Sequence, residues 1–110
     1  MDYIMVTKGK LSLKVKLIDI YYVSTVANKP HVLKVVTEND CYEIYGNLKD
    51  IQALAPHIFT RCHKQYLVNL FHVKGINKES QQIIFITSCI DSIKCSRRCL
   101  KDVIQTWGKL

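Results

Sequence analysis

Leu11, Leu13, Val15 and Leu17 alternate with Ser12, Lys14 and Lys16, a period of two that predicts a half-buried strand, entered through a turn at Lys8-Gly9-Lys10. Residues 18–24 and 31–37 are rich in β-branched and aromatic side chains, and Glu38-Asn39-Asp40 supplies turn chemistry before 41–45, which predicts a hairpin. Asn47 is a good N-cap, Asp50 follows three residues on, and Leu48, Ile51 and Leu54 recur at helical spacing until Pro56. One short helix therefore interrupts the strands. A second apolar run, 83–87, follows the polar turn Asn77-Lys78-Glu79-Ser80 and is expected to pair antiparallel with 71–76. At the end of the chain the period changes: Ser96 is a plausible N-cap, and Leu100, Val103, Ile104 and Trp107 form one stripe at i, i+3, i+4 and i+7. The pattern predicts a single, mainly β, antiparallel domain over 1–110, with one short internal helix and a C-terminal amphipathic helix.

The stretch Phe59-Thr60-Arg61-Cys62-His63-Lys64-Gln65-Tyr66-Leu67-Val68-Asn69 does not fit a merely solvated connection. Phe59 on one side and Tyr66-Leu67-Val68 on the other can clamp its ends into a core. Arg61, His63, Lys64 and Gln65 would then project as donors from a rigid base. Arg97-Arg98 is a second anomaly, because cations just inside a helix start oppose the macrodipole. Arginine presents a planar fork that matches guanine O6 and N7 or a phosphate, and a helix N-terminus adds backbone donors. Two solvated surface arginines are the plain alternative.

Charge gives these donors a direction. Sixteen basic against nine acidic residues leave a net charge of +7 and a pI near 9.2, which favours a polyanionic partner where the cations cluster. At 110 residues the chain can bury roughly two thirds of the surface that it exposes when unfolded, so it needs no staples. Five cysteines, Cys41, Cys62, Cys89, Cys95 and Cys99, are an odd number without Cys-x-x-Cys spacing and read as free thiols. No apolar run reaches membrane-spanning length and no signal sequence opens the chain, so a cytoplasmic protein is expected.

The string Phe-x-Arg-Cys-His-x-x-Tyr-Leu-Val-Asn, then an apolar strand, then Ser96-Arg97-Arg98, resembles the LytTR DNA-binding domain of bacterial response regulators, over about Val6 to Ile104. Tyr45-Gly46-Asn47-Leu48-Lys49-Asp50 is similar to the subgroup that serves peptide-pheromone quorum sensing in Gram-positive bacteria. The resemblance implies stacked antiparallel β-sheets and the output domain of a two-component transcription regulator. It implies base contacts from His31, Lys64 and Arg98, and phosphate contacts from Asn28, Lys29, His63, Gln65, Ser96 and Arg97. The implied partner is double-stranded DNA with tandem half-sites, bound by two copies of a domain that is monomeric alone. A receiver domain, absent from this chain, and a histidine kinase are expected in the intact system. The chain departs from the family where Cys99 replaces a common Tyr and Lys94-Cys95 replaces Pro-Val.

Rival readings stay open. His63 can be a satisfied structural histidine, and His31, beside Pro30, an ordinary surface residue. A basic, strand-rich domain with six Tyr and three Phe could instead stack unpaired bases as a single-stranded nucleic-acid module, or serve only as a protein-interaction domain. Zinc is disfavoured because Cys62-His63 and Cys95-x-x-x-Cys99 do not supply two matching ligand pairs, and no cofactor is expected. Adjacent Cys62 and His63 face opposite ways when extended, which prevents nucleophile activation, so no enzyme is expected.

Overall fold

A strand whose side chains are apolar on both faces needs cover on both, and two separate cores provide it. The computed structural model describes residues 2–110. Its strands are β1 (Tyr3–Lys8), β2 (Leu11–Lys16), β3 (Ile20–Thr25), β4 (Val32–Thr37), β5 (Cys41–Tyr45), β6 (Phe59–His63), β7 (Tyr66–Asn69), β8 (Val73–Asn77), β9 (Gln82–Phe85) and β10 (Ile93–Lys94). The helices are α1 (Leu48–Leu54) and α2 (Arg97–Gly108), with single 3-10 turns at Leu17–Asp19 and Leu70–His72. A large antiparallel sheet has the order β2-β1-β5-β4-β3-β7-β6, and a small one the order β10-β9-β8.

The first core gathers Ile4, Val15, Val23, Leu33 and Leu67 from one face of the large sheet and is closed by Leu48 and Ile51 of α1. The second lies between the sheets, where Val36, Cys62 and Val68 meet Ile83 and Phe85 of the small sheet and Val103 of α2. Trp107 secures the far end of α2 by donating its indole N–H to the Val73 carbonyl at 3.2 Å. The fold is therefore mainly β, with stacked antiparallel sheets and two helices, as expected.

Capping chemistry holds where it was predicted. The Asn47 side chain accepts from the Asp50 N–H at 2.9 Å, and the Ser96 hydroxyl oxygen accepts from the Cys99 N–H at 3.2 Å. Asn69 ends β7 as a fully buried bracket, donating to the carbonyls of Ile18 and Ile20 and accepting from the Phe71 N–H. Those bonds bend the chain into the two 3-10 turns, which shorten several predicted strands. Residues 17–19 leave the sheet, so Leu17 is buried from a turn while Ile18 is 55% exposed. Phe71 and His72 likewise lie outside β8, which begins at Val73. The strand at 83–87 shifts to Gln82–Phe85, and Ile86 is exposed.

Three other expectations are corrected. Leu11 does not join the core: it pairs with Lys8 at the tip of the β1–β2 hairpin, on the sheet edge, and is 61% exposed. Residues 59–69, expected as a donor-rich loop pinned at both ends, form a β-hairpin, β6–β7, whose turn is Lys64-Gln65. Ile104 is only half-buried and lies outside the second core, which takes Leu100, Val103 and Trp107 from the stripe.

Two-sided burial has a measurable consequence. Leu67→Ala should lower unfolding free energy by about 2–5 kcal/mol, the range for buried leucine truncation. Leu11→Ala should change it by no more than about 0.5 kcal/mol, as an exposed site. Urea titration of both variants measures the difference, and equal losses would contradict the assignment of Leu11 to solvent.

Candidate nucleic-acid interface

Three segments meet at one end of the molecule: the β3–β4 connection, the β6–β7 turn and the start of α2. Backbone bonds tie them together. The Ser96 N–H donates to the Cys62 carbonyl at 2.8 Å, which fixes the helix start to β6. The Thr25 N–H donates to the Gln65 carbonyl at 3.1 Å, which fixes the hairpin turn to the end of β3. The β6–β7 register shifts between Arg61 and His63, so Cys62 is the extra residue of a bulge. A bulge bends its strand and re-aims the side chains that follow it, here His63 and Lys64.

Arg61 holds that bend. Its Nε donates to the His63 carbonyl at 2.8 Å and its Nη2 to the Lys64 carbonyl at 2.7 Å. His63 is held on its other side, where Nδ1 accepts the Gln65 N–H at 3.1 Å and the ring leans on Tyr66 with centroids 5.5 Å apart. In the neutral ring an accepting Nδ1 leaves the proton on Nε2, as one donor. The structural and the contact-making readings of His63 are thus compatible.

Lys64, Arg97 and Arg98 are exposed, and among the described residues none is in an ion pair. The first turn of α2 contains no acid, and the N–H groups of Arg97 and Arg98 have no intrahelical acceptor. Arg61, His63, Lys64, Ser96, Arg98 and Cys99 line a cleft of about 500 Å³ in which no carboxylate takes part. A second cleft of about 280 Å³ is lined by Lys29 and His31 from the β3–β4 connection, by Gly46 to Lys49, and again by Arg61. Arg61 therefore sits between the two clefts. Asn28, Gln65 and Arg97 line neither, although all three are exposed on the same three segments.

Asn28 and His31 both adopt left-handed backbone, with φ of 63° and 68°. Asn tolerates this conformation and His does so less often, so His31 is placed by its surroundings. Its carbonyl accepts the Gly46 N–H at 2.8 Å. Lys29 reaches Glu43 at 3.5 Å across an exposed pair, an interaction that contributes little in water.

The thiols play a packing part. Cys62 and Cys95 are fully buried, and burial, reinforced by neighbouring thiols, raises the pKa of both, that of Cys95 to about 11. Both thiols therefore stay protonated near neutral pH in the folded protein, as packing groups do. Among the described residues no three His, Cys, Asp or Glu side chains gather as a metal site. Cys95 and Cys99, which depart from the family pattern, occupy the second core and its margin.

Every sequence-predicted site residue lies on the three segments. Arg61, expected to project as a donor beside His63, Lys64 and Gln65, instead turns its guanidinium back onto the His63 and Lys64 carbonyls.

Two stacked antiparallel sheets that gather cations and a helix start around an acid-free cleft define a basic β domain built to meet an anion. The chain belongs to the LytTr DNA-binding domain family, whose profile matches residues 10–108. It is 28% identical over 95 residues to accessory gene regulator protein A of Staphylococcus epidermidis, covering 84% of this chain and 39% of that protein. It is 30% identical over 84 residues to accessory gene regulator protein A of Staphylococcus aureus, covering 76% of this chain and 34% of that protein. The chain thus spans little more than a third of the length of these relatives. Its fold matches that of the LytTr DNA-binding domain of a putative methyl-accepting/DNA response regulator from Bacillus cereus, with a TM-score of 0.82, 17% identity and 98% of each chain covered.

The burial of the thiols predicts their reactivity. In the native protein Cys41 and Cys89, which are exposed, should alkylate rapidly, while Cys62 and Cys95 should react only after unfolding. Mass spectrometry of timed iodoacetamide reactions reads this directly. Rapid labelling of Cys62 would mean that the bulge is open to solvent.

Proposed function

We propose that the domain binds double-stranded DNA sequence-specifically, as the output domain of a two-component transcription regulator. The observation that carries this reading is the acid-free cleft where Lys64 and Arg98 converge from two different elements. Among the described residues neither side chain is in an ion pair, and Arg98 opposes its own helix dipole, a cost that a polyanion offsets. Lys64, Arg98 and His31 take the base edges. Asn28, Lys29, His63, Gln65, Ser96 and Arg97 surround them as phosphate contacts that set register on the duplex. Lys29 exchanges its weak pair with Glu43 for a phosphate.

Single-stranded binding by stacking is less well supported. Tyr21, Tyr22 and Tyr66 are engaged with His72, Phe85 and one another, and the exposed Tyr3, Tyr45 and Phe71 sit on three different elements instead of forming one stacking row. Leu100, Val103 and Trp107 of the α2 stripe pack on the second core, and the half-buried Ile104 alone makes no seam for a coiled-coil dimer. The domain is accordingly a monomer that occupies tandem half-sites about one helical turn, or a multiple of it, apart. In the intact regulator a receiver domain, addressed by a histidine kinase that answers a peptide pheromone, brings two copies together. The domain itself binds and performs no catalysis, and it works in the cytoplasm.

Selection on random duplexes tests the reading: one enriched motif is expected, and no enrichment would remove it. On the selected site, Arg98→Ala should lose about 1–3 kcal/mol of discrimination at one base pair while the fold is kept. A folded variant that binds as tightly and as selectively as the parent would show that Arg98 reads no base. Lys29→Ala should weaken all duplexes alike and reduce the log-log salt slope by about 0.9. A loss confined to one sequence would make Lys29 a base reader instead.

A further inference from the structure

We propose that Arg61 is a positioning residue for base recognition: its guanidinium, bonded to the His63 and Lys64 carbonyls, sets the angle at which Lys64 enters the groove. This rests on the duplex-binding reading above and goes beyond it, since Arg61 touches no base in the scheme proposed there. The bulge at Cys62 leaves the strand ladder irregular just before the hairpin turn. His63 closes the hairpin opposite Tyr66 and the Gln65 carbonyl is tied to Thr25, but Lys64 between them is exposed, so the peptide planes on either side of it need a further hold to keep one shape. Arg61 supplies that hold through two donors of one planar fork, at 2.8 and 2.7 Å. Fixing two carbonyls with one rigid group removes two neighbouring peptide planes from free rotation, which an ammonium, as a single point of charge, does not do.

The location fits this role. Arg61 is half-buried, and it is the residue shared by the cleft of Lys64 and Arg98 and the cleft of Lys29 and His31. The same group that shapes the hairpin thus forms the wall between the two sets of proposed base readers. Its Nε is engaged with backbone, so its main effect on DNA passes through Lys64.

Three variants decide the matter: Arg61→Met, which keeps the length without the fork, Arg61→Lys, which keeps the charge, and Arg61→Met combined with Lys64→Ala. Affinity is measured for the selected duplex and a scrambled duplex at several salt concentrations. Arg61→Met should lower the preference for the selected site about tenfold, with scrambled-duplex affinity changed by less than about twofold and the salt slope unaltered. Arg61→Lys should not restore the preference, because charge without the fork cannot hold both carbonyls. In the Lys64→Ala background the Arg61 change should have little further effect, since residues acting as a unit are not additive. In free protein, amide resonances of Lys64, Gln65 and Tyr66 should shift in Arg61→Met while those of β4 stay in place, which separates local repositioning from unfolding.

Retention of the preference by folded Arg61→Met, restoration by Arg61→Lys, or an undiminished loss in the Lys64→Ala background would each overturn the assignment. A fall in salt slope of about 0.9 with equal loss on both duplexes would make Arg61 a phosphate contact instead. A parent domain that prefers no duplex would remove the functional reading itself, an outcome distinct from a selective parent whose Arg61 variants stay selective.

Discussion

Strands β3 and β7 are covered on both faces, and the rest of the molecule is arranged around that requirement. Val23 and Leu67 pair across the two strands and face the first core. One residue away, Tyr22 and Val68 pair and face the second. A strand with apolar groups on both sides cannot leave either to water, so the large sheet must carry α1 on one face and the small sheet with α2 on the other. Burial of this kind also pins the register, because a slip by one residue would exchange the two sets of side chains. The connections that leave these strands and their partners inherit a rigid base.

From that base the binding end is assembled by backbone bonds more than by side chains. The Cys62 carbonyl takes the Ser96 N–H, and the Gln65 carbonyl takes the Thr25 N–H. Cys62 can offer its carbonyl because its thiol fills the second core, where burial keeps it protonated. A packing residue and a helix start are thus one unit, which explains how Arg98 and Lys64 come to line one cleft although 34 residues separate them. Cations held this close repel one another, and only an anion between them turns the arrangement to advantage.

Much of this was legible in the chain because local chemistry and tertiary demand agreed. Asn47 and Ser96 cap helices in the structure as their side chains and spacing indicate, and Gly9, at φ 60°, turns the first hairpin. Strand β1 was missed because Tyr3, Ile4, Met5 and Val6 are all apolar, so no period of two separates its buried from its exposed side. Leu11 was misjudged for the opposite reason, since perfect alternation says nothing about how far a core extends under an edge strand. The role of Arg61 depends on a register shift, and a bulge leaves no mark in residue type. The strands lost to the two 3-10 turns were lost to Asn69, whose partners at Ile18 and Ile20 lie about fifty positions away.

The string Tyr45-Gly46-Asn47-Leu48-Lys49-Asp50 now has a physical account. Gly46 sits at φ 146°, a conformation that side chains with a Cβ rarely adopt, although nothing lies within 4 Å of where that Cβ would be. The demand is on the backbone itself. That conformation lets the Gly46 N–H reach the His31 carbonyl, and the next residue, Asn47, caps α1. Leu48 then anchors the helix in the first core. His31 is left-handed, which costs on the order of 1–3 kcal/mol and persists only because the surroundings impose it. A seven-residue helix is too short to be stable alone, so its contribution lies in what it holds. Through Gly46 it holds the backbone of His31 in a left-handed conformation in the lining of the second cleft.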